Sequence, residues 1–126
     1  MLGIGRKRGR ELAAAIEELH RAETVAFGPV GVAGSVLPVT EAYRRVAAAL
    51  ADYPEEVRGQ LDRLLATGSP AGRLYAAALL QRLDPTAGRA AWERLRDDPA
   101  EVGTFTGCVM GRTTLREYAE DRLGLS

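Results

Sequence analysis

The chain has 126 residues, 46% of them hydrophobic and 27% charged, with 17 basic and 17 acidic side chains. That is the size of one domain able to bury its own core, and too apolar for disorder along its whole length. The net charge is zero but unevenly spread, and a mildly acidic body behind a basic start argues against a folded surface built to grip DNA; one cysteine excludes an internal disulfide, and no apolar run approaches the roughly 20 residues that span a bilayer.

The N-terminal stretch MLGIGRKRGR lacks the apolar h-region of a signal peptide. Together with the lone cysteine this leads us to expect a reducing, cytoplasmic setting. Residues 1–10 read as a basic flexible leader, and residues 11–126 as a single α-helical domain. The leader carries Arg6, Lys7, Arg8 and Arg10 ahead of the first acid, Glu11. The body that follows is mildly acidic. Arginine is used almost to the exclusion of lysine, a codon-bias signature associated with GC-rich bacterial genomes.

In chain order, Leu12, Ile16, Leu19 and His20 share one face of a helix over residues 10–23. Glycines 28, 31 and 34 with prolines 29 and 38 forbid helix in the next stretch. Short strands fit at Thr24–Phe27 and Ser35–Val39. Thr40 reads as the N-cap of a second helix with Tyr43, Val46, Ala47 and Leu50 inward. A third opens at Pro54, with Val57, Leu61, Leu64 and Leu65 on its apolar face and Gly68 after its end. Ser69–Pro70 and Asp84–Pro85 are N-cap and first-turn proline pairs that open two more helices. Tyr75, Leu79, Leu80 and Leu83 point inward on one; Gly88, Ala91, Trp92 and Leu95 do so on the other. From Val102 to Met110 alternation replaces the helical period and predicts extended chain. Thr114 and Glu117 then form a capping box for a last helix.

The fold class expected is therefore mainly α: about six short helices in a helical-hairpin, HEAT-like bundle with a minor two-stranded β element. The glycine-rich stretches 28–34 and 103–111 are expected to pair antiparallel against the helices.

Few residues carry chemistry. Cys108 is the single thiol and His20 the single imidazole, so a catalytic Cys108–His20 dyad, or a redox sensor using Cys108, is the enzyme alternative. No local signature of a cysteine enzyme surrounds it, and a thiol filling space in a sealed core is the expected role. One His and one Cys cannot supply a zinc ligand set, so no metal is expected. Neither GIGRKRG nor GPVGVAGS matches a phosphate-binding glycine loop, so no cofactor is expected. Arg6, Lys7, Arg8 and Arg10 would attract an anionic partner, but without interleaved aromatics they argue weakly for nucleic acid. Tyr75 and Trp92 are core anchors that could also line a groove used by a partner.

The segments FGPVGVAGSVLP, GRLYAAALLQRLDP and EVGTFTGCVM resemble a group of small uncharacterised bacterial proteins. That group shares a V-G-x-A-G segment, an L-Y-A-x-x-x-L…L-D helix and a V…G-C strand. The matching residues are Val30, Gly31, Ala33 and Gly34; Leu74, Tyr75, Ala76, Leu80, Leu83 and Asp84; and Val102, Gly107 and Cys108. The resemblance spans roughly residues 27–123 and implies a helical scaffold with the Gly-Cys strand near the Tyr75 helix. It implies no activity. The function expected is a non-catalytic domain that binds another protein, of bacterial immunity or adaptor type, in the cytoplasm and without membrane contact.

Overall fold

The computed structural model describes residues 5–125. Six helices and a three-stranded sheet follow in the order α1 (Arg6–His20), β1 (Thr24–Val25), α2 (Pro38–Asp52), α3 (Pro54–Thr67), α4 (Pro70–Leu83), α5 (Pro85–Leu95), β2 (Glu101–Thr106), β3 (Val109–Thr114) and α6 (Leu115–Arg122). The chain is mainly α with a minor β element, and the sheet has three strands instead of the two expected.

Four consecutive helices, α2 to α5, begin with proline in their first turn. Its fixed φ suits that position, and its missing N–H has no partner to lose there. Ser69 Oγ accepts from the Gly72 amide at the start of α4, and an Asp84 carboxylate oxygen accepts from the Thr86 amide at the start of α5. Thr114 Oγ1 accepts from the Glu117 amide in α6.

Thr40 departs from the sequence reading. The α2 helix starts at Pro38, with Leu37 in the capping position. Thr40 is fully buried, and its hydroxyl donates to the Ala26 carbonyl at 2.7 Å. Pro38 sets the helical φ two residues earlier, which frees the threonine to tie the helix to the β1–α2 loop.

The core sits around α4. Buried residues run along it without a break from Leu74 to Leu80, so this stretch is enclosed on all sides, and Gln81 and Arg82 reach the surface in its last turn. It touches α1, α2, α3, α5, β1 and β2, more neighbours than a helix in a one-dimensional stack has. Small residues permit the closest approaches. A Cβ on Gly72 would lie 2.3 Å from the Leu19 carbonyl oxygen, and one on Gly88 would lie 2.4 Å from Gln81 Cα.

Tyr75 is wholly buried at the centre. Its phenolic oxygen accepts from the Ala26 amide at 2.7 Å and donates to the Ala26 carbonyl at 3.0 Å. Burial pushes its pKa up to about 12, against the opposing pull of the Ala26 backbone. The hydroxyl therefore keeps its proton, and the extended chain after β1 finds in it the partners it lacks in the sheet. Phe27 and Tyr43 pack edge-on to one another beside Tyr75, their centroids 5.0 Å apart.

The far side of the body is closed by α6. Trp92 is 1% exposed, its Nε1 donates to Gln81 Oε1 at 2.9 Å, and its ring lies 5.7 Å from that of Tyr118. Asp98 joins α4 to the start of β2 and α6. One carboxylate oxygen accepts from the Ala100 amide and the other from the Arg73 guanidinium. Partial burial works to raise the Asp98 pKa, but the Ala100 amide, the Arg73 contact and the Arg116 charge together lower it.

A folded pKa below the ordinary aspartate value means that the unfolded chain takes up the proton first. The stability Asp98 supplies is complete above about pH 4 and is lost as pH falls through its folded value. Urea midpoints measured from pH 6 to pH 3 are expected to fall more steeply for the native chain than for Asp98→Asn. Parallel profiles would show that Asp98 contributes nothing.

Candidate functional site

The helix α1 begins at Arg6, four residues earlier than the hydrophobic period suggests. Arginine and lysine are good helix formers, and Leu12, Ala15 and Leu19 anchor the turns that follow. Arg6, Lys7, Arg8 and Arg10 are thus displayed on helix, and the basic segment is continuous with the domain; residues 1–4 of the expected leader lie outside the described residues. No acid in the first turn and no side-chain cap offsets these cations at the positive helix end. Arg8 reaches a cleft of about 420 Å³ between α1 and α2, opposite Arg45 and beside Glu11 and Asp52.

Tyr75 and Trp92 present no surface to a partner, which corrects the expectation that either lines a groove. The first is the buried hub described above, and the second is sealed under Tyr118 and Arg122. His20 belongs to the architecture as well. Thr67 Oγ1 donates to the Arg63 carbonyl, so His20 Nε2, 3.0 Å from that hydroxyl, serves as donor to it. The His20 carbonyl accepts from the Ser69 amide, fixing the α1 terminus to the α3–α4 turn.

Cys108 is exposed, not packed in the core. The extended segment expected through Met110 folds back on itself. Thr106 pairs with Val109, leaving Gly107 and Cys108 as a two-residue loop, with Gly107 at φ +57°. Gly-X is the sequence of a type II′ hairpin turn, whose first position needs positive φ. The signal was present in the sequence, but alternation across the turn hid it. His20 is engaged at the α1–α3 contact while Cys108 stands at a hairpin tip, so no dyad forms. Among the described residues no group of three His, Cys, Asp or Glu is placed to hold a metal ion.

The hairpin is the surface the sequence reading missed. In strand order β1-β2-β3, β2 runs parallel to β1 and antiparallel to β3, which leaves β3 at the edge. Val102 is buried and sets the inward face. Phe105 and Met110, which are cross-strand partners, therefore fall on the outward face with Glu101, Gly103 and Arg112. Val109 is 69% and Met110 74% exposed. With no side chain on Gly103, the outward face holds a hollow of about 540 Å³ bounded by Glu23, Glu101, Met110 and Arg112. Arg112 Nε donates to Glu101 Oε1 at 3.2 Å.

The β1–α2 loop joins this surface. Val30 and Ser35 exchange backbone hydrogen bonds of 2.7 and 2.9 Å, and the Gly31 amide donates to the Gly107 carbonyl. That parallel bridge brings the loop bearing Val32, which is 99% exposed, to the hairpin turn. The two glycine-rich stretches meet as expected, though in parallel orientation.

No helix among the described residues is long and apolar enough to cross a membrane. Comparison with protein-family models, curated proteins and solved structures finds no match to this chain.

Proposed function

We propose that this is a non-catalytic domain that binds another protein, of immunity or adaptor type, through the outward face and open edge of the β2–β3 hairpin. The observation that carries this reading is the exposure of Val109 and Met110 on an edge strand. An edge strand offers unpaired backbone donors and acceptors, and β3 is lightly guarded: it has no proline and an unbroken register with β2, and its one charged side chain, Arg112, is paired with Glu101. Methionine is an adaptable contact residue, and strand addition to such an edge is a common mode of peptide capture. Glu23 and Glu101 outnumber Arg112 around the hollow, which suits a basic partner segment.

The test is affinity capture from the source cell with the native chain and with a Val109→Glu, Met110→Glu variant. Both substitutions lie on exposed positions, so circular dichroism should be unchanged. A specific protein retained by the native chain and lost by the variant is the expected result. Capture of nothing specific by the native chain, or equal capture by both, would sink the reading.

A further inference from the structure

A second surface lies away from the hairpin. Phe27 of the β1–α2 loop, Tyr43 of α2, Ala78, Gln81 and Arg82 of α4, and Arg122 of α6 enclose a cleft of about 420 Å³. Its charged residues are all of one sign. The α1–α2 cleft and the sheet hollow, by contrast, mix arginine with carboxylates.

The two guanidiniums share a setting: among the described residues Arg82 and Arg122 are the arginines that lie over aromatic rings. Arg58, Arg73, Arg89, Arg96 and Arg112 pair with carboxylates. Arg82 and Arg122 form no ion pair among the described residues. They rest on aromatic faces instead. Arg82 Cζ lies 6.0 Å from the Tyr43 centroid, and Arg122 Cζ lies 5.7 Å from that of Trp92 and 5.5 Å from that of Tyr118. A ring attracts the flat face of a guanidinium and leaves the N–H edge available, in the fork geometry that matches an oxyanion. Gln81 receives the Trp92 N–H on its carbonyl oxygen, which leaves its amide nitrogen as a further donor. The rest of the lining is aromatic, with Phe27 and Tyr43 braced edge-on against each other.

We infer that this cleft binds a small molecule made of an oxyanion joined to a flat ring, the oxyanion held by Arg82 and Arg122 and the ring laid against Phe27 and Tyr43. The oxyanion is a phosphate ester or a carboxylate; the donors suit both, and the probes below separate them.

Isothermal titration of the whole chain at low salt would use phenyl phosphate and benzoate, with inorganic phosphate and phenol as the two halves. At least one aryl anion is expected to bind at least about tenfold more tightly than either half, since the anion and ring contacts act together. The tighter of the two aryl anions names the oxyanion. Arg82→Gln and Arg122→Gln, each with an unchanged circular dichroism spectrum, should weaken that binding about tenfold, as expected when a charge-assisted contact is lost. The inference is overturned if neither aryl anion saturates, if inorganic phosphate binds as tightly, or if both variants bind like the native chain. Because none of these residues lies on the hairpin, the Val109→Glu, Met110→Glu variant should bind the aryl anion unchanged.

Discussion

Trp92→Ala is expected to remove about 3–5 kcal/mol of stability, the usual cost of emptying a large aromatic site that cannot collapse. The indole is almost wholly enclosed, Gln81 accepts its N–H, and Tyr118 and Arg122 of α6 lie against it. Truncation would leave a cavity between α5 and α6 and take the donor from the Gln81 carbonyl. Since a domain of this size holds only about 5–15 kcal/mol in all, the variant should unfold at a far lower denaturant concentration. Guanidinium unfolding followed by circular dichroism measures this. A loss below about 1 kcal/mol, the scale of a typical surface change, would show that α6 is not seated on Trp92.

Gly88→Ala tests the closeness of α4 and α5 through the sign of its effect. On an open helix surface alanine in place of glycine stabilises by roughly 0.5–1 kcal/mol, because glycine gives up more backbone freedom on folding. Gly59 in α3 is such a site: it is exposed, and a Cβ there would meet nothing within 4 Å. At Gly88 the new atom would sit 2.4 Å from Gln81 Cα, which is backbone and cannot swing aside. The two helices must part, and overpacking of this kind costs about 1–3 kcal/mol, more than the propensity gain. Gly59→Ala is therefore expected to raise the urea midpoint and Gly88→Ala to lower it. A Gly88→Ala protein as stable as Gly59→Ala would mean that the α4–α5 contact is looser than described.

The sequence was most legible where local chemistry and burial agree. In α5 the expected inward residues Gly88, Ala91, Trp92 and Leu95 are the buried ones, and in α3 all four expected residues are buried. Both helices pair a proline start with a single apolar stripe. In α4 the stripe was underestimated: Tyr75, Leu79 and Leu80 are buried as expected, but so are Ala76, Ala77 and Ala78. Alanine carries little hydrophobic signal, and only the number of neighbours decides whether it is enclosed. Thr40 was misplaced because a threonine before a helical period is a good cap in isolation, and nothing local shows that Ala26 needs its hydroxyl.

The proposed interaction surface was the least legible part. Val109 and Met110 look like core residues by type, but they follow the Gly107–Cys108 turn at the exposed tip of the hairpin, Met110 on the outward face and Val109 on the opposite one. A strand with both faces partly solvated carries no strong pattern, so its register cannot be read from hydrophobicity alone. The same turn exposes Cys108, and what reads as a crowded thiol is a hairpin tip.

The parallel pairing of Thr24 with Gly103 also bears on how the chain reaches its native state. Neighbouring helices meet through short connections, and the β2–β3 hairpin closes on itself across two residues. The β1 strand instead pairs with a partner that lies beyond α2 to α5 in the chain. Loop-closure entropy is spent before that pairing returns anything, so the search for this long-range partner sets the pace. Pairing of β1 with β2 should lag behind acquisition of helix, and the chain should fold more slowly than its helical content would suggest.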